Sequence, residues 1–316
     1  MDRMKTKVFI DGKEGTTGLK IFERFEKRDD LEILLIDEDK RKDSAERAKM
    51  INSSDITFLC LPDAAAREAV SLCTNPEVRI IDASTAHRTN PEWDYGFPEL
   101  SERHRENIRN SKRVAVPGCY ASGFISLCYP LVQAGVLPQD YPVTAHAVSG
   151  YSGGGKKMIA EYETEGADLT APRMYGVGQT HKHLPEMKKF GGVYSEPVFT
   201  PIVSSFYSGM LVTVPLSSDD LSPGFRASDI VDCYREKYSG PVIKYVPSDS
   251  PLFPNGFVSA AALSGSDSMA VTVFGNGERT VLAALFDNLG KGASGAAIQC
   301  MNISLGRNET DSLELI

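Results

Sequence analysis

The segment KVFIDGKEGTTGLKIF, residues 7–22, decides the fold of this chain. It opens with an apolar run, passes through glycines spaced G-x-x-G-x-x-G at Gly12, Gly15 and Gly18, and continues with apolar residues at helical spacing. This order predicts a strand, a tight turn and a helix. Glycine lets the backbone approach a pyrophosphate that the helix N-terminus then stabilises, so the segment favours dinucleotide binding over a plain structural turn.

Apolar runs and helix-like segments alternate over the following residues. Strands are predicted at 31–36, 56–61 and 78–81, and helices at 39–50 and 64–73. Strands that alternate with helices predict a doubly wound parallel sheet, the α/β Rossmann architecture.

The pattern changes after about residue 140. Strands are predicted, mostly without helices between them, at residues 143–148, 194–199, 209–215, 242–246 and 269–274. This arrangement predicts an α+β domain on a mainly antiparallel or mixed sheet. The stretch from 281 to 316 is interpreted as a closing helix.

These patterns predict two domains. A dinucleotide-binding domain is expected over residues 1–118, with the C-terminal segment 286–316 packing back on it. A catalytic, substrate-binding and oligomerisation domain is expected over residues 119–285.

Composition excludes several classes of protein. Hydrophobic residues make up 41% of the chain and charged residues 24%, which is typical of a globular protein. The net charge of −8 argues against nucleic acid or an anionic membrane as the main partner. Without a membrane-length apolar run or a signal-peptide pattern, a cytoplasmic location is expected. The six cysteines are dispersed without C-x-x-C spacing, as reduced thiols are.

Cys119 is the candidate nucleophile. It lies in VPGCYASG, residues 116–123, just before the apolar run at 124–132. If that run is a helix, the thiol lies in its first turn, where free N–H groups and the helix dipole favour the thiolate. The alternative is a buried small hydrophobic residue, the usual role of a free cysteine.

Two polar segments suit anion binding. DASTAHR, residues 82–88, follows a predicted strand, and Arg88 would clamp a phosphate or carboxylate or else form a surface salt bridge. SGYSGGGKK, residues 149–157, offers N–H groups, hydroxyls and cations to an anion, or is a flexible loop.

HKHLPE, residues 181–186, places His181 and His183 on one face of a predicted extended strand. H-x-H also occurs in metal sites, but no third cysteine or histidine ligand lies nearby in the sequence, and no metal is expected. The histidines are better interpreted as the acid or base that serves Cys119.

The charged residues after the second strand do not decide between NAD and NADP as the cofactor. Asp37 suits a free ribose hydroxyl and therefore NAD, whereas Lys40, Arg41 and Lys42 suit the 2′-phosphate of NADP. A solvated charge run is an equal alternative.

Taken together, the motifs resemble one family over nearly the whole chain. They are GxxGTTGL at 12–19, DASTAHR, YGFPEL at 95–100, PGCYAS at 117–122, VSGYSGGGK at 148–156, HKHLPE and NLGKGASGAAIQ at 288–299. The chain resembles the N-acetyl-gamma-glutamyl-phosphate reductases, most closely their short type 2 branch. The resemblance implies a Rossmann domain, a glyceraldehyde-3-phosphate-dehydrogenase-like catalytic domain, NADPH as cofactor, a homotetramer, and the reductive step of arginine biosynthesis.

The resemblance also implies roles for residues. Cys119 would form a thioester from the acyl phosphate, and His183, with His181 as second candidate, would move the proton. The substrate group is Arg88, Ser149, Lys156 and Glu186. The cofactor group is Gly12, Gly15, Thr16, Thr17, Gly18, Arg41, Lys42, Ser84, Gly153, Gly154 and Asn288.

Two other functions remain open on the sequence alone. An enzyme like aspartate-semialdehyde dehydrogenase would share the fold and the thioester chemistry and differ in the acyl chain. A non-catalytic nucleotide-sensing regulator would bind the dinucleotide but leave Cys119 and the two histidines without a role.

Overall fold

The computed structural model describes residues 5–164 and 168–316. The chain divides into two compact units. Unit 1 comprises Met1–Pro117 and Ala293–Leu313, and unit 2 comprises Gly118–Gly292 and Glu314–Ile316.

Unit 1 is built on a six-stranded parallel sheet. Its strands are β1 (Thr6–Asp11), β2 (Leu31–Leu34), β3 (Ile56–Leu59), β4 (Arg79–Asp82), β5 (Asp94–Tyr95) and β6 (Arg113–Ala115). Their order in the sheet is β2-β1-β3-β4-β6-β5, and every neighbouring pair is parallel. The predicted doubly wound α/β sheet is confirmed.

Helices cover both faces of this sheet. They are α1 (Thr16–Phe25), α2 (Ser44–Ser53), α3 (Asp63–Leu72), α4 (Glu102–Asn110) and, from the C-terminal part of the chain, α9 (Gly295–Ser304). Alternation along β1 sends Val8 into the core shared with α1, α4 and α9, and Phe9 into the core shared with α2 and α3. Burial on both faces explains why these strands are continuous apolar runs.

Unit 2 is built on a seven-stranded mixed sheet. Its strands are β7 (Thr144–Gly150), β8 (Arg173–Met174), β9 (Val198–Ser204), β10 (Met210–Ser217), β11 (Ile243–Tyr245), β12 (Met269–Gly275) and β13 (Arg279–Phe286). The order is β11-β12-β13-β10-β7-β9-β8, with β11–β12 and β7–β9 parallel and the other pairs antiparallel. The predicted α+β domain on a mixed sheet is confirmed.

Among the described residues of unit 2, four helices accompany this sheet, more than the sequence pattern predicted. They are α5 (Cys119–Gln133), α6 (Gly155–Glu163), α7 (Leu184–Gly191) and α8 (Ala227–Lys237). The buried helix α5 packs on the sheet through Gly123, where an added Cβ would lie 2.6 Å from Cγ2 of Val212. Glycine is therefore required at this position for the close approach that places the start of α5.

The predicted closing helix from 281 is wrong at its beginning. Residues 279–286 form β13, which pairs with β10 on one side and β12 on the other. The helix α9 begins only at Gly295. A short apolar run cannot be assigned to strand or helix by periodicity alone, and pairing on both sides decides for the strand.

Three other predicted boundaries also differ. The second strand ends at Leu34, not near Asp37, which precedes a short 3₁₀ turn at Glu38–Lys40. The helix predicted over 39–50 begins at Ser44, because the Asp43 side chain caps it. The strand predicted over 194–199 begins at Val198, immediately after Pro197, which has no N–H to donate to a ladder.

Candidate active site

The glycine turn after β1 has no room for side chains. Gly12 has φ +89°, and a Cβ there would lie 2.4 Å from the Cys60 carbonyl oxygen. A Cβ at Gly18 would lie 2.4 Å from the Gly12 carbonyl oxygen. Only glycine fits both positions, so the turn folds tightly enough for its backbone to approach an anion.

The helix that follows the turn leaves its first N–H groups without a side-chain cap. Gly15 is the N-cap of α1 and makes no capping bond, and Thr16 and Thr17 are the first helical residues. A phosphate is the type of acceptor that such a helix start binds. The predicted cofactor residues Gly12, Gly15, Thr16, Thr17 and Gly18 are thus brought together in one turn.

Ser84 lies in a buried polar cluster at the carboxyl end of β4. Asp82 accepts hydrogen bonds from the Ser84 backbone N–H (2.9 Å) and hydroxyl (2.8 Å). Its Oδ2 is also 2.6 Å from Nδ1 of His87, whose ring stacks on Trp93 with centroids 4.1 Å apart. The cluster holds the start of the DASTAHR loop at the sheet edge where ligands bind in such folds.

Arg88 is buried, whereas the alternative interpretation placed it on the surface. Its Nε donates to the Val116 carbonyl oxygen (2.9 Å), and its Nη2 donates to that of Ala83 (3.1 Å). These bonds fix the guanidinium against the backbone at the carboxyl ends of β4 and β6. A role in binding substrate stays a prediction.

Cys119 is the first residue of α5, as the sequence predicted. Gly118 is the N-cap and makes no side-chain capping bond. Cys119 is partly exposed, as is Cys60, whereas Cys128 is buried. Desolvation by the surrounding protein raises the pKa of the Cys60 and Cys128 thiols. The position of Cys119 at the start of α5 therefore distinguishes it from these two cysteines.

The two histidines lie in a turn and not in the extended strand that the sequence predicted. His183 is the N-cap of α7 with helical backbone angles (φ −87°, ψ −11°). Pro185 explains the difference, because its fixed φ favours the first turn of a helix. The rings of His181 and His183 are 4.7 Å apart, and they lie 5.7 and 5.9 Å from the ring of Tyr120, the residue after Cys119.

Glu186 connects the start of α5 with His183. The carboxylate is almost completely buried, and its Oε2 accepts a hydrogen bond from the Gly118 N–H at 3.1 Å. Its Oε1 is 4.0 Å from Nε2 of His183. Glu186 thus contacts the protein at both oxygens, and substrate binding by this residue stays a prediction. The signal in the sequence was its spacing, three residues after His183 at a helix start.

Three other predicted residues meet at the end of β7. Asn288 donates from Nδ2 to the Ser152 hydroxyl (2.9 Å) and accepts from the Gly209 N–H (2.8 Å). A Cβ at Gly153 would lie 3.4 Å from both Nδ2 of Asn288 and Oγ of Ser149. The structure therefore joins Ser149 of the predicted substrate group with Gly153 and Asn288 of the predicted cofactor group.

The predicted cations lie on exposed surface. Arg41 is 3.8 Å from Glu38, and Lys40 is 3.2 Å from Asp37, both within one 3₁₀ turn of unit 1. Lys42 is exposed beside them. In unit 2, Lys156 is exposed in the first turn of α6, next to Gly154.

Asp287 was not predicted from the sequence. This buried carboxylate accepts from the Ser208 hydroxyl (2.7 Å) and from the N–H groups of Leu289 (2.6 Å) and Gly290 (3.0 Å). It fixes the loop that carries Gly292, where an added Cβ would lie 2.9 Å from Cβ of Cys119. An acid directly before the NLGKG motif was the available signal.

Within 5–164 and 168–316, no group of three histidine, cysteine, aspartate or glutamate residues could hold a metal ion. No helix in the same ranges is both long and apolar enough to cross a bilayer.

Both parts of the chain match known family models. Residues 7–110 match the model described as semialdehyde dehydrogenase, NAD binding domain. Residues 119–288 match the one described as semialdehyde dehydrogenase, dimerisation domain.

Relatives of similar length define the family more narrowly. A protein of Sinorhizobium fredii named N-acetyl-gamma-glutamyl-phosphate reductase is 49% identical over 309 residues, which cover 96% of this chain and 99% of the relative. One of Burkholderia ambifaria with the same name is 46% identical over 302 residues, 95% of this chain and 96% of the relative. The chain belongs to the N-acetyl-gamma-glutamyl-phosphate reductase family. The family identified from the motifs is confirmed.

Solved structures show the same fold as this N-acetyl-gamma-glutamyl-phosphate reductase family member. Aspartate semialdehyde dehydrogenase II of Vibrio cholerae, complexed with ASA, matches with a TM-score of 0.73 at 16% identity, over 96% of this chain and 99% of that one. Aspartate semialdehyde dehydrogenase of Candida albicans with NADP matches with a TM-score of 0.65 at 14% identity and the same coverage. At these identities the likeness concerns the fold alone.

Membership of the N-acetyl-gamma-glutamyl-phosphate reductase family defines the enzyme class. The chain is an oxidoreductase of the aldehyde and acyl-phosphate type, with one domain for a nicotinamide cofactor and one dimerisation domain.

Proposed function

We propose that the chain uses NADPH to reduce N-acetyl-L-glutamyl 5-phosphate to N-acetyl-L-glutamate 5-semialdehyde and phosphate, in arginine biosynthesis. One observation carries the proposal: Cys119 begins α5, and a buried carboxylate next to it joins that helix start to His183. The chain shares 49% identity with a relative named for this reaction. The proposal includes a cytoplasmic location, expected from the sequence.

The glycine turn supports the nicotinamide dinucleotide. Added Cβ atoms at Gly12 and Gly18 would meet backbone oxygens at 2.4 Å, so the turn keeps its backbone open to a diphosphate. When bound, the reduced cofactor supplies a hydride, that is, two electrons and one hydrogen nucleus. Within unit 1, this turn would hold it, with Arg41 and Lys42 toward a 2′-phosphate and with Ser84. Gly153, Gly154 and Asn288 remain cofactor residues predicted from the sequence.

Acylation is the first chemical step. The Cys119 thiolate attacks the acyl carbon, the carbon–oxygen bond to the phosphate breaks, and inorganic phosphate leaves with the bonding electrons. The product is a thioester on Cys119. The N–H groups in the first turn of α5 stabilise the thiolate before attack.

Reduction and release complete the reaction. As imidazolium, His183 would protonate the thiohemiacetal oxyanion that reduction of the Cys119 thioester produces. The neutral imidazole then takes the proton from the hydroxyl as the carbon–sulfur bond breaks, which releases the semialdehyde and restores the thiolate. Glu186 holds His183 and the Gly118 peptide in place through both steps.

Three residues are proposed for the substrate's anionic groups. Arg88 presents a fixed guanidinium, Ser149 lies beside Gly153, and Lys156 supplies an exposed cation in the first turn of α6. Two cations and a hydroxyl of this kind suit a substrate that carries carboxylates and a phosphate.

The chain is also proposed to form a homotetramer, with residues 119–285 as the catalytic and oligomerisation domain and residues 1–118, joined by the segment 286–316, as the dinucleotide-binding domain. The match to a dimerisation domain over residues 119–288 supports self-association. Light scattering on the purified protein measures the number of subunits.

The reverse reaction tests the proposed function. The purified enzyme should reduce NADP in the presence of N-acetylglutamate semialdehyde only when phosphate or arsenate is added. Aspartate semialdehyde is the matched control substrate. Turnover of aspartate semialdehyde alone would make the chain an aspartate-semialdehyde-dehydrogenase-like enzyme. Cofactor binding without turnover of either aldehyde would leave the nucleotide-sensing regulator.

A further inference from the structure

A buried ion pair lies directly before the glycine turn. Asp11 ends β1, and its side chain is 5% exposed. Arg47 of α2 donates from Nε (3.1 Å) and Nη2 (2.9 Å) to the same oxygen, Oδ2 of Asp11. The guanidinium is fixed from a second side, because its Nη1 donates to Glu68 of α3 at 3.2 Å.

At this position, the negative charge of Asp11 disfavours binding of an anion by the glycine turn. An ionised carboxylate one residue before Gly12 opposes the positive field that the turn and the start of α1 present. Burial raises the pKa of Asp11, and the hydrogen bonds and charge of Arg47 lower it. Arg47 keeps its charge at every physiological pH, so it neutralises Asp11 permanently.

We infer that Arg47 is a positioning residue of the dinucleotide site, which neutralises Asp11 and thereby allows the glycine turn to bind the cofactor diphosphate. Arg47 acts through Asp11, because its guanidinium is buried and directs its bonds to Asp11, Glu68 and the Ala65 carbonyl oxygen. The inference rests on the dinucleotide role of the turn and is independent of which acyl phosphate is the substrate.

The test measures the Kd of NADPH by fluorescence for the intact chain and for three variants. Arg47→Met leaves Asp11 uncompensated and should weaken binding by about tenfold or more. Asp11→Asn with Arg47→Met removes the charge as well and should return Kd to within about threefold of the unmodified protein. Asp11→Asn alone keeps the cation and should bind NADPH at least as tightly as the unmodified protein.

Arg28 provides a matched control. It is also a buried arginine of unit 1, paired with Asp30 at 2.7 Å, but Asp30 lies at the amino end of β1, where its carbonyl accepts from the Thr6 N–H. Arg28→Met should lower the melting temperature and leave the Kd of NADPH unchanged. This comparison separates an effect on the turn from a general loss of stability.

Each other result overturns the inference. It fails if folded Arg47→Met binds NADPH as the unmodified protein does, if the double variant binds no better than Arg47→Met, or if Arg28→Met weakens binding equally. If Arg47→Met does not fold, the single Asp11→Asn variant decides, since weaker binding there contradicts the inference. Absence of NADPH binding by the unmodified protein would instead refute the proposed function.

Discussion

The starts of helices α1 and α5 are built alike, but the residue that pairs with a nearby buried carboxylate differs between them. Both α1 and α5 begin after a glycine N-cap that makes no side-chain capping bond, an arrangement that suits a bound anion or a thiolate at the helix start. A buried carboxylate lies beside each helix start, Asp11 at α1 and Glu186 at α5.

The partners of the two carboxylates differ. Asp11 is paired with Arg47, whose charge does not change, whereas Glu186 lies 4.0 Å from His183, a type of side chain that can take up and release a proton. A binding site for a permanently charged diphosphate needs a constant field. A site that protonates an oxyanion and then takes the proton back needs a group that titrates. Under the proposed function, the same local arrangement serves cofactor binding in unit 1 and proton transfer in unit 2.

Replacing the nucleophile should have the largest effect. Cys119→Ser should lower kcat by about 10³-fold or more, because a serine hydroxyl at this helix start does not become the strong nucleophile that a thiolate is. NADPH binding, measured by fluorescence, should remain, since the glycine turn is unchanged.

Alkylation offers a control on the same thiol. Iodoacetamide should label Cys119 much faster than Cys60 or Cys128, because burial raises the pKa of those two thiols. Substantial turnover by Cys119→Ser would contradict the thioester mechanism.

Replacing His183, which lies near Glu186 at the start of α5, should have the next largest effect on turnover. His183→Asn should lower kcat by about 10²–10⁴-fold and remove one limb of the pH–rate profile. His181→Asn is the matched control, because the two rings are 4.7 Å apart and both contact Tyr120. It should act chiefly on KM. The opposite pattern would transfer the acid–base role to His181.

The ion pair of Asp11 with Arg47 leads us to expect that the free energy of unfolding depends on pH. Because burial raises the pKa of Asp11, its ionisation costs folding free energy, and stability is lost as the pH rises through the folded-state pKa. Arg47→Met removes the group that lowers this pKa, so the loss becomes larger and extends to higher pH. In urea unfolding, the difference in unfolding free energy between the unmodified protein and Arg47→Met should grow as the pH rises from about 4.5. It should reach about 3–5 kcal/mol at pH 7.

The double variant, Asp11→Asn with Arg47→Met, tests whether the buried charge causes this difference in unfolding free energy. With Asp11→Asn added to Arg47→Met, no carboxylate remains to ionise, so the gap to the unmodified protein should be smaller and independent of pH over the same range. A gap that is constant with pH in Arg47→Met alone would mean that the lost packing, and not the buried charge, destabilises the variant.

The sequence predicted what depends on local spacing. Gly12 and Gly18 were predicted as a tight turn, and Cys119 was predicted in a first helical turn, because each pattern lies within one short segment. The histidine segment was wrong as a strand, since alternation over three residues says nothing once Pro185 begins a helix. Arg47 was missed because its partner Asp11 is 36 residues away, and only the fold brings them together.

The smallest expected effect concerns cofactor choice at the exposed end of unit 1. NADPH should bind more tightly than NADH, and neutralising Arg41 and Lys42 together should weaken NADPH by about fivefold and NADH by less than about twofold. Arg41 now faces Glu38 at 3.8 Å on an exposed surface, a pair weak enough to be exchanged for a phosphate.

Two further measurements test this preference for NADPH: a change of ionic strength and the replacement of a distant lysine. Because these charges are exposed, the preference for NADPH should shrink when ionic strength is raised from 0.01 to about 1 M, as the screening length falls from about 30 to 3 Å. Lys112→Gln is the matched control, since the Lys112 side chain is similarly exposed, is paired with Glu77 at 3.0 Å and precedes β6, which lies in the half of the sheet away from β2. It should leave both dissociation constants unchanged. Equal affinity of the unmodified protein for NADH and NADPH would instead mean that Asp37 governs the ribose site, because a carboxylate there accepts from a free 2′-hydroxyl and repels a 2′-phosphate.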